Sequence, residues 1–133
     1  MKYEILEHKA DLKIRTFGRT KEELFLNMLK GMMEGLRPEG IKKGKKRKVK
    51  INSPDFSALL VDFLSETLYL SQVNKEIYFD AKFTKFTNTE IEGELIGQKV
   101  ERFGEDIKGV TYHDLDIHQR KDRTWEATVL FDI

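Results

Sequence analysis

The last nine residues, WEATVLFDI from Trp125 to Ile133, constrain the fold more than any other stretch of the sequence. Trp125, Ala127, Val129 and Phe131 occupy every second position, and this period of two places one face of a β-strand on a hydrophobic core. A strand of this kind is held in a sheet along its whole length. We therefore expect the end of the sequence to be an ordered strand end and not a loose tail.

This strand end carries a candidate metal site. The carboxylate of Asp132 lies one residue from the carboxylate of Ile133, the last residue of the sequence, and two fixed oxygen anions make half of a site for a hard cation. Asp11, at the start of the second extended run of the sequence, is the candidate third acid. Ligands that are all oxygen favour calcium, manganese or magnesium over zinc. We interpret His8 as a neighbour of this acid site or as a structural histidine.

Composition restricts the class of protein. A length of 133 residues suits a single domain spanning residues 1–133, and the sequence contains no cysteine, which excludes disulfides and zinc–thiolate sites. No apolar run approaches the ~20 residues of a membrane span, and the N-terminus lacks the pattern of a signal peptide. The sequence therefore predicts a soluble protein with no membrane partner, located in the cytoplasm. A net charge of +1 argues against general nucleic-acid coating.

Two amphipathic helices are expected. Thr20 and Glu23 form a capping box before apolar residues at three- and four-residue steps, and this helix should end near Gly35. At this spacing its methionines indicate core packing and not a partner-binding groove. Ser53 is predicted to cap the second helix, which should run to about Gln72.

The remaining patterns are typical of antiparallel strands. Residues 77–83 and 90–95 alternate in polarity around a Thr-Asn-Thr turn, which indicates a hairpin. Lys108 opens the strand KGVTYHDLDI, in which we place Val110 on the face opposite Ile117, and a polar turn leads back into the terminal strand. The fold class predicted is α+β: a mostly antiparallel β-sheet sandwich with two helices packed on one side.

A basic run separates the two helices. It contains seven positive residues: Lys42, Lys43, Lys45, Lys46, Arg47, Lys48 and Lys50. Removing those seven from the 24 basic residues leaves 17 against 23 acidic ones, so the charge is asymmetric. The run is either a solvated loop leading into a short strand from Val49 to Asn52, or an arm that contacts RNA phosphates or a partner. It contains no aromatic residue, which argues against base stacking.

Motifs of catalysis are missing from the sequence. There is no nucleophile elbow, phosphate-binding loop, dinucleotide-binding turn or HExxH helix. The three histidines, His8, His113 and His118, fall on different strands or at different strand positions, which disfavours a three-histidine metal site. We therefore expect no catalytic residues and no enzymatic activity.

Three of these segments also resemble a known family. EHKADLKI near the start, KGVTYHDLDI before the last turn, and a terminal strand ending in FDI are arranged around two helices as in archease, the small protein that assists the RtcB-type tRNA-splicing ligase. The resemblance spans essentially the whole chain. One position departs from it, because Lys9 stands where the family motif usually has threonine.

The resemblance implies a function as a non-enzymatic activator. The ligase joins 2',3'-cyclic phosphate or 3'-phosphate RNA ends to 5'-hydroxyl ends through a guanylylated histidine, formed from GTP with manganese. Archease is understood to promote guanylylation, to allow multiple turnover and to relax nucleotide choice. The family's metal-binding acids correspond to Asp11, Asp132 and the carboxylate of Ile133, and its functional lysine corresponds to Lys108.

Two alternatives stay open. The basic run favours an RNA-binding or chaperone-like adaptor, for example one that serves a tRNA methyltransferase, with tRNA contacted directly through the run. A stand-alone metal-dependent phosphoesterase ranks last, because the sequence offers acids but no evident base or nucleophile.

Overall fold

A computed structural model describes residues 2–7 and 11–133 of the chain. In chain order its elements are β1 (Tyr3–Glu7), β2 (Asp11–Gly18), α1 (Lys21–Gly35), β3 (Pro38–Glu39), β4 (Gly44–Asn52), α2 (Phe56–Asn74), β5 (Glu76–Phe86), β6 (Glu90–Lys99), β7 (Arg102–Phe103), β8 (Gly109–Gln119) and β9 (Trp125–Asp132). The strand pairs in these ranges are antiparallel. The predicted α+β class is confirmed.

The strands form three sheets in place of one. A four-stranded sheet has the order β1-β2-β9-β8, a three-stranded sheet has the order β4-β6-β5, and β3 pairs with β7. Helix α1 contacts β2 and also β5, and α2 contacts β8 and also β4 and β5. Both helices are therefore covered by the two larger sheets, and one hydrophobic core includes residues of all of them.

The terminal strand behaves as its pattern predicts. Ala127, Val129 and Phe131 of β9 are fully buried, and Trp125 packs at the margin of the core. Leu130 is also buried although it lies on the opposite face. Beside it β8 bulges: Thr111 pairs with Leu130, and the next β8 residue in register is Asp116. β9 is thus a central strand that is covered on both sides along part of its length.

The bulge corrects the face assignment in β8. The simple alternation placed Val110 and Ile117 on opposite faces, but both pack against the core. The extra residues between Thr111 and Asp116 break the period of two and reverse the side on which later side chains emerge. Asp114, in the bulge, takes a left-handed backbone conformation with φ of 56°.

The helix caps are partly as expected. Thr20 caps α1 by accepting a hydrogen bond from the Glu23 amide at 3.1 Å, and the methionines of α1 are core residues, as predicted. The cap of α2 was predicted two residues too early. Asp55 is the cap and accepts from the Ala58 amide at 2.8 Å, whereas the Ser53 hydroxyl donates to Asp62 at 2.6 Å.

The segment from Arg37 to Lys48, for which a solvated loop was one of two interpretations, is largely strand. Pro38 and Glu39 pair with β7, and β4 begins at Gly44, five residues before the expected Val49. Lysine has no strong preference for strands, so local sequence gave no signal for this. Pairing with β6 across the full length of β4 overrides the local preference.

In the described part of the chain, no helix is long and apolar enough to cross a membrane.

Candidate functional site

Asp11 and Asp132 face each other across the two central strands of the four-stranded sheet. Asp11 is the first residue of β2, Asp132 is the last of β9, and the two are direct register partners. Partners in register project from the same face of a sheet, with Cβ atoms about 4.5–5.5 Å apart. The neighbouring pair, Leu12 and Phe131, is buried in the core on the other face. The register thus brings two carboxylates together at one end of the sheet.

The end of the chain lines a cavity beside this pair. The cavity has a volume of about 470 Å³, and its polar lining residues are Asp11, Glu34, Arg37 and Glu105, with Ile133 at its wall. The lining therefore contains three acidic side chains and one basic one. Oxygen donors predominate, as a hard cation requires.

Glu34 and Glu105 were not singled out from the sequence. Glu34 lies in the last turn of α1 and Glu105 in the acidic loop before β8, so neither belongs to a motif. Glu34 accepts a hydrogen bond from the Tyr3 hydroxyl, and burial together with this contact raises the pKa of Tyr3 to about 12. The one sequence signal was the acidic character of the loop at 101–106. Its meeting with α1 depends on the tertiary fold.

Lys108 joins the same sheet end through its backbone. Its amide donates to the Asp132 carbonyl at 2.6 Å, and Gly109 is the register partner of Asp132. The Lys108 side chain is exposed and lines a groove of about 700 Å³ together with Lys75 and Arg102. Glu105 lines both this groove and the acidic cavity, so the two adjoin.

The structure therefore brings together four residues that the sequence singled out. Asp11, Lys108, Asp132 and Ile133 come from three distant segments and meet at one end of the sheet. That they bind a metal stays a prediction. The donor set fits the expected group, because the acids that line the cavity offer oxygen and neither imidazole nor thiolate.

The histidines take no part in this site as far as the structure describes it. His8 lies outside the described residues. His113 is in the exposed bulge of β8, 3.7 Å from Asp114, and His118 is near the other end of that strand. Whether the three histidines could share a metal is therefore not decided by the positions of His113 and His118.

The basic run is partly neutralised by its neighbours. Arg47 binds Glu76 at 2.8 Å, Lys42 lies 3.6 Å from Glu101, and Lys50 lies 3.4 Å from Glu92. The other four lysines of the run form no ion pair within the described residues, and all four are exposed: Lys43, Lys45, Lys46 and Lys48. Most of the run thus lies in β4, where its positive surface is reduced by these pairs.

Comparison with known proteins identifies the family. The chain matches the model of the archease protein family (MTH1598/TM1083) over residues 3–133. The chain belongs to the archease family. A protein named archease from Methanosarcina acetivorans is 36% identical, with 99% of this chain and 96% of that protein covered. The archease of Thermococcus kodakarensis is 29% identical, with 99% of both chains covered.

Solved structures of the archease family share the fold. Protein 1598 of Methanobacterium thermoautotrophicum superposes with a TM-score of 0.73 at 23% identity, covering 98% of both chains. A Thermotoga maritima protein, described as an archease and "possible chaperone", gives a TM-score of 0.68 at 22% identity, covering 96% of this chain and 94% of that one. The names of these relatives refer to no enzymatic activity.

Proposed function

We propose that this chain is a non-catalytic activator of an RtcB-type tRNA-splicing ligase, promoting its GTP-dependent guanylylation and multiple turnover. Membership of the archease family supports this proposal. The observation that carries it is the meeting of Asp11, Lys108 and Asp132 at one sheet end, beside a cavity lined by Ile133. Carboxylates and a lysine that converge at one exposed strand end suit a cation and an anionic group of a partner.

A divalent cation, namely calcium, manganese or magnesium, would be held by Asp11, Asp132 and the carboxylate of Ile133. When bound, the cation neutralises carboxylates that otherwise repel one another. Asp11 and Asp132 are fixed by strand register, and Glu34 and Glu105 stand at the rim of the cavity as further acceptors. The chain's own part is to hold β2, β9 and the start of β8 in one rigid arrangement.

Lys108 would contact the ligase, its nucleotide or an RNA phosphate. A lysine carries three donors and no acceptor, so it cannot be a metal ligand. Lys75 and Arg102 line the same groove, and Arg102 is held by Glu39 at 2.9 Å. Lys108 and Lys75 form no ion pair within the described ranges, which leaves them available to an anionic group of the partner.

A turnover assay tests the function. A catalytic amount of the ligase is incubated with an excess of split tRNA, GTP and manganese, with and without this chain. We expect more product per ligase when the chain is present, and guanylylated ligase should accumulate faster. Equal product with and without the chain would overturn the proposal.

A second candidate is an RNA-binding or chaperone-like adaptor, for example toward a tRNA methyltransferase. The four exposed lysines of the basic run that form no ion pair within the described residues favour it, and the Thermotoga maritima relative is described as a possible chaperone. This candidate predicts salt-sensitive binding of tRNA by the isolated chain. Neutralising Lys43, Lys45, Lys46 and Lys48 together should abolish that binding while ligase activation persists.

A further inference from the structure

A second group of metal-binding side chains converges at the other end of β8 and β9. Asp116, His118 and Glu126 each offer one ligand atom, and these atoms lie within 4.8 Å of one another. Among the residues that the structure describes, this is the one group of three or more histidine, aspartate or glutamate side chains whose ligand atoms come this close together. Glu126 and Asp132 are six residues apart on β9, which places the two ends of the strand about 20 Å apart.

Strand geometry explains why the three side chains meet. Asp116 and His118 are two residues apart on β8 and so project from the same face. Glu126 is the register partner of His118 on β9 and lies on that face as well. The positions come from a paired antiparallel ladder and not from a loop. The arrangement is therefore preorganised.

The imidazole of His118 lies between the two carboxylates. Its Nδ1 is 2.7 Å from Asp116 Oδ2, and its Nε2 is 3.8 Å from Glu126 Oε2. Within the described ranges neither carboxylate forms an ion pair with a lysine or arginine, although the adjoining turn contains Arg120, Lys121 and Arg123. The carboxylates of Asp116 and Glu126 thus face the His118 imidazole and form no ion pair with the lysine and arginine side chains of the adjoining turn.

We propose that Asp116, His118 and Glu126 bind a first-row transition-metal dication, of which Zn²⁺ is the probe to use. Imidazole with carboxylates suits zinc and its neighbours, whereas the acids around Asp11 and Asp132 suit calcium or magnesium. The site is on the surface, where His118 and Asp116 are about half exposed, so solvent or an anionic group of a partner completes the coordination. The chain therefore has two cation sites of different chemistry at opposite ends of one hairpin.

The chain offers a matched control for this site. His113 is also on β8 and exposed, but it lies in the bulge and outside the group of three. His118→Gln and His113→Gln make the same chemical change on the same strand. Only the first removes a ligand of the proposed site.

Calorimetric titration of Zn²⁺ into the untagged full-length chain tests the proposal. We expect one saturable site, whose affinity falls at least about tenfold in His118→Gln and in Glu126→Gln and is unchanged in His113→Gln. Absence of saturable binding by the native chain, or equal loss in the two histidine variants, would overturn it. Circular dichroism of each variant establishes that it is folded, and Glu126→Gln serves as the second test if His118→Gln is not.

Titrating two variants with two different metals distinguishes this site from the one at Asp132. Asp132→Asn should leave Zn²⁺ binding intact, and His118→Gln should leave Ca²⁺ binding intact. If Asp132→Asn abolished Zn²⁺ binding, the two groups would belong to one site and the inference would be wrong. The experiment uses the metal alone, so its outcome does not depend on any ligase.

Discussion

Arg47 holds the fully buried carboxylate of Glu76 by two parallel hydrogen bonds, each 2.8 Å long. The Tyr78 hydroxyl, also buried, donates to the same carboxylate at 2.8 Å. Arg47, a member of the basic run, is therefore part of the fold, where it joins β4 to the start of β5. A charge run that the sequence could assign only to solvent or to a partner thus includes a structural residue.

Removing Arg47 should destabilise the protein. Arg47→Met leaves the Glu76 carboxylate buried without its partner, and we expect the free energy of unfolding to fall by about 2–3 kcal/mol. Urea unfolding followed by circular dichroism measures this. Lys48→Met on the same strand is the control and should change stability by no more than about 0.5 kcal/mol. Equal effects in the two variants would show that the buried ion pair is unimportant.

Acid should weaken the same contact. The hydrogen bonds from Arg47 lower the pKa of Glu76, although burial acts in the opposite direction. The stabilisation is fully present above the ordinary glutamate pKa of about 4.3 and is lost as the pH falls through the lower value of the folded state. Stability in urea should therefore fall with pH in this acidic window. Glu76→Gln should show a shallower slope there, and an unchanged slope would contradict the assignment.

Gly97 should tolerate no side chain. A Cβ built on it would lie 1.8 Å from the Ile77 carbonyl oxygen and 2.8 Å from Tyr78 Cδ1, so Gly97→Ala must push the paired strand β5 away. We expect a loss of at least about 2 kcal/mol in urea unfolding. Gly109 has nothing within 4 Å of a built Cβ, so Gly109→Ala is the control. Comparable losses in both would refute the steric explanation.

The acidic sheet end should respond to Ca²⁺. Because Asp11 and Asp132 are register partners, Asp132→Asn removes one ligand charge and leaves the core face of β9 intact. The native melting temperature should rise with Ca²⁺, by an amount set by its affinity, and that of Asp132→Asn should not. Asp80→Asn is the control, because Asp80 is an exposed residue of β5. A residue added after Ile133 should abolish the Ca²⁺ response as well, and an undiminished response would exclude the terminal carboxylate.

Lys108 should separate activation from metal binding. Lys108→Ala is expected to abolish stimulation of the ligase in the turnover assay while leaving the Ca²⁺ response unchanged, since lysine supplies a donor and no ligand. The contact of its amide with Asp132 is made by the backbone and survives the substitution. Lys121→Ala, in the exposed turn before β9, is the control. Full stimulation by Lys108→Ala would refute the proposed role.

Periodicity alone was enough for much of the fold. The terminal strand, both helices and the hairpin of β5 and β6 were predicted from the spacing of apolar residues, because burial of one face imposes a period on each element by itself. Asp11 and Asp132 were named because each stands at the end of such an element, whereas Lys108 was named only through the family resemblance. The family resemblance was also carried by local motifs.

Tertiary structure decided what depends on pairing between distant segments. The register that sets Asp11 against Asp132, the bulge that turns Ile117 into the core, and the meeting of Glu34 with Glu105 each join segments far apart in the chain. The spacing of apolar residues within one segment does not specify which distant segment of the chain will pair with it. For the same reason Arg47 looked like one more exposed cation, because only the closed fold brings it to the buried carboxylate of Glu76.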